Sequence, residues 1–226
     1  YRRFRIGDLV TLNVLDTRQF RSDQPCGDGW KICPEASDPA RTMMGEQQEN
    51  WLYDGFRSQA SRWNVLAQQV LMMQLDRDPD PARLETHMDK WDSAVAARNR
   101  LFSAIRDSSL SNPVVLTGDI HNNWAGELKA DFNDPSTQTL GVEFVATSIS
   151  SGGDGADSRP DAAKMLSLNP HVKFFNNHRG YMRHMLTPER WTADYRTLER
   201  VTRPGEPVKT RQSFVLESGS TQLNNA

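Results

Sequence analysis

Long apolar runs are missing from this 226-residue chain. No window approaches the roughly 18 consecutive apolar residues of a membrane-spanning helix, so no transmembrane segment is predicted. Net charge is small, −2 at pH 7, which gives no electrostatic case for nucleic acid as a partner. Cysteine is nearly absent: Cys26 and Cys33 are the only two, too few for a structural zinc site. The six residues between them, with Gly and Pro around, read as a loop. A disulfide closes it in an oxidising compartment, and two free thiols remain otherwise. No G-x-S-x-G elbow is present, and no histidine stands in a context that nominates a base, which sets serine-nucleophile chemistry aside. Ser148–Gly155 has the Gly/Ser content of an anion-cradling loop but neither the lysine nor the spacing of a P-loop. There is no internal repeat. Lysine is scarce, 6 against 21 arginines. Base composition explains that ratio as readily as function does, although the arginine fork suits phosphate and carboxylate.

What is present is a globular composition, 37% hydrophobic and 25% charged, with a mean hydropathy of −0.68 and enough length for one good core. Residues 4–16 read as a buried strand, and 22–41 as a long Gly/Pro/Asp loop. The spacing of Met44, Gln48, Trp51, Leu52 and Phe56 predicts a helix over 44–60. Residues 63–71 read as a strand and 76–81 as loop. A second helix is predicted between Asp92 and Arg106, with Asp92 as its N-cap. Asn112-Pro113 breaks that helix and launches a strand at 114–118. A polar connection over 129–139 leads to a strand at 142–149, and 150–161 is loop. Strand-like pieces follow at 171–176, 180–186, 191–201 and 211–217. Strand and helix alternate in the first half and strands dominate the second, which predicts a layered α/β or α+β domain.

The stretch Val114–Trp124 carries the most chemistry. An apolar run stops at Gly118, and Asp119 and His121 follow two positions apart. A strand ending this way projects both from its carboxyl edge, where ligands of open α/β sheets bind. Oxygen and nitrogen donors together suit a hydrolytic metal centre, and a turn with a solvated Asp and a surface His fits the same residues. Asp89, outside any capping role, is a candidate carboxylate ligand for a hard cation such as calcium. Arg179, in the run Phe174–Tyr181, is a candidate contact for an anionic substrate. The same run also suits a turn with Asn177 or Gly180 at positive φ.

Several separated segments agree with one family. They are Leu15-Asp16-Thr17-Arg18-Gln19-Phe20-Arg21, Trp63-Asn64-Val65-Leu66-Ala67-Gln68-Gln69-Val70, Met88-Asp89-Lys90-Trp91-Asp92 and Leu116-Thr117-Gly118-Asp119-Ile120-His121. Thr147-Ser148-Ile149-Ser150-Ser151-Gly152, Asn169-Pro170-His171-Val172-Lys173-Phe174 and Arg179-Gly180-Tyr181 continue the series. In this order the chain resembles the PhoD-like alkaline phosphatase/phosphodiesterases of the calcineurin-like metallophosphoesterases. The resemblance implies a four-layer α/β/β/α sandwich and hydrolysis of small-molecule phosphate mono- and diesters. It implies iron and calcium as the metals, and an extracytoplasmic protein exported by the twin-arginine route. Carried over by position, Asp119 and His121 are metal and catalytic residues, with His121 toward the leaving group, and Asp89 is the calcium-side carboxylate. The family's metal-binding cysteine, its G-D-x-x-Y segment and its D-D-H-E-like segment do not occur between residues 1 and 226. Trp91-Asp92-Ser93-Ala94 also replaces the usual W-D-G-Y. The resemblance therefore implies the C-terminal half of a catalytic domain, with an incompetent fragment or binding module as the alternative. Half a sandwich is expected to expose apolar sheet surface.

Overall fold

The computed structural model describes residues 1–57 and 61–226. Seven strands form one mixed sheet in the order β1 (Arg2–Ile6), β2 (Val10–Val14), β4 (Trp63–Ala67), β6 (Pro113–Thr117), β8 (Thr139–Val145), β7 (Asn123–Lys129), β9 (Val172–Asn176). Strands β2, β4, β6 and β8 run parallel, and β1, β7 and β9 pair antiparallel to their neighbours. Helix α1 (Gly45–Arg57) links β2 to β4, and α2 (Val95–Asp107) links β4 to β6. Their parallel neighbours need such crossovers. An antiparallel sheet follows, in the order β10 (Arg179–Leu186), β11 (Arg190–Leu198), β12 (Lys209–Glu217), β13 (Asn224–Asn225). A small pair joins β3 (Trp30–Lys31) to β5 (Thr86–His87).

Strand periodicity sorts the core into two faces. Leu66, Val115, Trp124 and Val145 pack with Leu52 and Phe56 of α1, Leu101 and Phe102 of α2, and Met165 of α3 (Ala162–Leu168). Their neighbours Val65, Val114, Ala125 and Phe144 pack with Trp191, Tyr195 and Phe214 of the second sheet. Alternate side chains of a strand point to opposite faces, so adjacent positions serve different layers. Trp63 and Trp191 meet edge to face at 5.6 Å between the sheets. Burying each such side chain stabilises the fold by about 1.5–3 kcal/mol. Among the described residues both faces of the large sheet are therefore covered, by helices and by the second sheet. The outer face of the second sheet pairs Arg183 with Asp194 at 2.5 Å, and its exposed apolar groups are Tyr181 and Met185.

Several sequence expectations change. The strand expected over 4–16 is two strands, turned back on themselves at Gly7, whose φ is +54°. The helix expected to Ala60 runs to Arg57, and residues 58–60 lie outside the described residues. The strand expected to Leu71 stops at Ala67, and 68–75 continues as buried irregular chain. Strand β7 and helix α3 went unpredicted. Gly126 weakens the strand signal of β7, yet a Cβ there would lie 2.7 Å from Met73 Sδ and 3.1 Å from the His171 carbonyl oxygen. Gly180 is needed for a related reason, since its Cβ would sit 2.0 Å from the Arg196 carbonyl oxygen.

Asp92 does not cap α2. Its carboxylate is buried, faces Arg98 at 2.5 Å and accepts the Leu75 N–H at 3.2 Å. A buried charge without its partner is worse than no charge at all. Arg98→Ala should lower unfolding free energy by about 3–5 kcal/mol, and the Asp92→Leu/Arg98→Met double variant should lose less, as urea titration will show. Glu143 is another buried carboxyl, holding the Met72 and Met73 N–H groups at 2.9 and 2.7 Å and the Thr117 hydroxyl at 2.6 Å. Burial raises its pKa to about 7, against the lowering pull of those hydrogen bonds. A folded-state value above the ordinary 4.5 means its stabilising contribution is full below that value and is lost as pH rises through about 7. The unfolding midpoint should fall more steeply between about pH 5 and about pH 7.5 in the parent chain than in Glu143→Gln.

Candidate active site

The carboxyl ends of the parallel strands meet at one corner, as open α/β sheets require of a binding site. After β2, the Asp16 carboxylate accepts the backbone N–H of Arg18 at 3.0 Å and of Gln19 at 2.9 Å, a local Asx turn that presents Arg18. After β4, the Gln69 amide accepts from the N–H and hydroxyl of Thr17 and donates to the Leu15 carbonyl. Gln68 donates to Thr117 at the end of β6 and accepts from the Trp91 indole. This amide ladder ties three strand ends together.

Strand β6 runs into Gly118, and the backbone then adopts positive φ at Asp119 (+68°) and again at His121 (+58°). Left-handed backbone at a non-glycine residue is strained and needs support from its surroundings. On one side Lys90 Nζ donates to Asp119 at 2.8 Å, and Arg18 donates to the same carboxylate. On the other, the His121 carbonyl accepts from Arg179 at 2.6 Å and from the Thr147 hydroxyl at 3.0 Å. The His121 imidazole makes no hydrogen bond or ion pair among the described residues and stands exposed.

Asp89 stands beside this turn. Arg18 reaches it at 2.7 Å, Arg21 and Gln24 at 2.8 Å, so Arg18 bridges the two carboxylates. Three cations, Arg18, Arg21 and Lys90, face these two carboxylates, with the Asp16 carboxylate at the base of the turn that presents Arg18. Burial alone would raise the Asp89 carboxyl, but the hydrogen bonds and charges of Arg18 and Arg21 hold it near 2. At Asp119 burial is likewise outweighed, first by Lys90 and then by Arg18, and its pKa is lowered.

Asp89, Asp119 and His121 line one cleft of about 920 Å³, together with Lys90. Arg179 does not. Its buried guanidinium is directed into the protein, toward Ser148, the Ser151 carbonyl and Asn177. The sulfurs of Cys26 and Cys33 are joined in a disulfide. They also form, with Glu35, the only trio of potential metal donors within 4.8 Å of one another among the described residues. Asp89, Asp119 and His121 make no such trio. Sequence reasoning missed Arg18, Arg21 and Lys90. Each lay inside a quoted segment, but only the fold brings them onto carboxylates far away in the chain.

The corner sets its cations against both carboxylates and leaves the His121 imidazole without a hydrogen-bond partner among the described residues. Comparison with known proteins places this arrangement. The PhoD-like phosphatase family model matches residues 1–195. Alkaline phosphatase D of Bacillus subtilis (strain 168) is 46% identical over 224 residues, which is 99% of this chain and 38% of that protein. A solved structure described as the structure of PhoD superposes with a TM-score of 0.96 at 45% identity, covering all of this chain and 43% of that one. The chain thus spans about two fifths of the length of the relatives it matches. At that similarity the fold of this chain is that of the structure it superposes on, and the chain belongs to the PhoD-like phosphatase family.

Proposed function

We propose that this chain is part of an extracytoplasmic, metal-dependent phosphoesterase acting on small-molecule phosphate mono- and diesters. One observation carries the reading: a strained turn at the carboxyl end of β6 presents Asp119 and His121 beside three clustered cations. Strain of this kind concentrates where side chains must be presented. Guanidinium and ammonium donors clustered beside them suit the oxygens of a phosphate ester.

Asp119 and His121 fit a cation by donor chemistry, since carboxylate oxygen and imidazole nitrogen suit calcium and iron respectively. His121 fits also because its ring has no other partner here. Either carboxylate takes up a cation only when its own cationic partners turn away, because Arg18 and Lys90 now donate to Asp119 and Arg18 and Arg21 to Asp89. When bound, such cations supply Lewis-acid polarisation of the phosphoryl oxygens. The chain's own residues do the rest. Arg18 and Lys90 steer the anion to the corner, and the floor of the cleft excludes water from one side of it. We assign Arg179 a positioning role, holding the His121 carbonyl rather than the phosphate. Its buried donors are already directed to protein oxygens.

The second reading is a binding module without turnover, favoured by the absence of a three-donor cluster at this corner among the described residues. Metal analysis and bis(p-nitrophenyl) phosphate hydrolysis by the 226-residue chain separate the two, since turnover by that chain alone excludes the module. In the full-length protein, Asp119→Asn and His121→Ala should each lower kcat/KM by on the order of 100-fold or more, with loss of bound metal. Arg179→Lys should cost about 10- to 100-fold in kcat with little change in KM. Full metal content and full turnover in Asp119→Asn would overturn the proposal.

A further inference from the structure

The cleft is much larger than the corner that holds Asp119 and His121. At about 920 Å³ it lies at the upper end of the roughly 300–1,000 Å³ typical of small-molecule sites. Its floor is apolar, made by Leu71, Leu75, Ile120 and Met165. One wall is Trp30 and Arg77.

That wall is built, not incidental. Trp30 lies within the loop closed by the Cys26–Cys33 disulfide, and β3 pairs it with His87 of β5. The Met88 N–H donates to the Gly29 carbonyl at 2.9 Å, so the indole is fixed beside the segment that carries Asp89. The His87 ring packs edge-on against it at 5.4 Å. The Arg77 guanidinium lies over the indole, 4.9 Å from the ring centroid. Glu85 holds that guanidinium in a bidentate pair, at 2.8 and 2.7 Å.

The pairing decides what the wall can recognise. Glu85 neutralises Arg77, so the wall is not a second phosphate site. What remains is an indole and a flat guanidinium, two groups that stack on planar π systems. A flexible alkyl chain would make little use of that shape. A ring would, and the leucines and Met165 below would bury its edges.

We propose that the Trp30–Arg77 wall is the subsite for the alcohol part of the ester, and that it selects esters whose alcohol carries a flat aromatic or heteroaromatic ring. This rests on the phosphoesterase reading for the corner, where the phosphate would sit, and it adds the substrate class. The ring lies against Trp30 while the phosphoryl group reaches Lys90, Asp119 and His121, which line the same cleft. The disulfide serves this subsite by holding the indole in register with β5.

Binding and turnover test the subsite and the corner separately. Calorimetric titration of the full-length protein with benzylphosphonate and with methylphosphonate, neither of which is hydrolysed, gives an aryl-over-methyl preference. We expect that preference to be about 3- to 10-fold, to vanish in Trp30→Ala and to persist in Trp30→Phe. Should Trp30→Ala fail to fold, Arg77→Gln gives the same readout, with the preference reduced. No preference in the parent protein, or a preference untouched by both substitutions, overturns the subsite. Methyl phosphate hydrolysis reports on the corner alone. Turnover of methyl phosphate without aryl preference removes the subsite and leaves the phosphoesterase reading. Aryl preference that depends on Trp30, without turnover, supports the subsite and removes that reading.

Discussion

The left-handed turn from Gly118 to His121 is the constraint on which the site depends. Two non-glycine residues two positions apart in one short turn adopt positive φ, at a cost of order 1–3 kcal/mol each. The surrounding structure holds them there. Arg18 and Lys90 grip the Asp119 carboxylate from the ends of other segments. Arg179 and Thr147 grip the His121 carbonyl from the opposite side. Without those contacts nothing would keep the imidazole projected into the cleft. The turn explains why the buried Arg179 stands so near this corner without facing the cleft.

The strand-end network follows from the same demand. Side-chain amides tie the chain after β2 to α1 through Gln48 and to the end of β4 through Gln69, and Gln68 ties that end to β6. Behind them Glu143 gathers the Thr117 hydroxyl and the Met72 and Met73 N–H groups. The irregular segment after β4 would otherwise bury unsatisfied backbone polar groups. Once satisfied, it forms the cleft floor and delivers Asp89 and Lys90 to the corner. The Cys26–Cys33 loop then docks on that segment through β3 and β5. Corner, floor and wall are thus set by one chain of hydrogen bonds that begins at the sheet.

The sequence carried the signals that are local. An apolar run ending in Gly-Asp-x-His announced a strand that stops at a turn, and the helical spacing of Leu52 and Phe56 announced α1. The segment order along the chain pointed to the family that the comparisons show. Signals that need tertiary contact were absent. Nothing near Asp92 said that Arg98 and the Leu75 N–H would claim it, so a local capping rule lost to a buried ion pair. Arg18 meets Asp119 across 101 residues, a distance no spacing rule spans. The seven-residue α3 is too short for its period to register. Arg179 looked like a phosphate ligand because arginine so often is one, and only its buried partners reveal the brace.

The central claim is that the turn stores backbone strain in order to present His121. It is tested most directly by comparing His121→Gly with His121→Ala in equilibrium urea unfolding. Among the described residues the imidazole makes no hydrogen bond or ion pair, so both variants lose the same polar contacts, but only glycine accepts positive φ without penalty. The account predicts that the glycine variant is the more stable by about 1 kcal/mol, an inversion of the usual order, while neither hydrolyses phosphate esters. A glycine variant less stable than the alanine variant would contradict it.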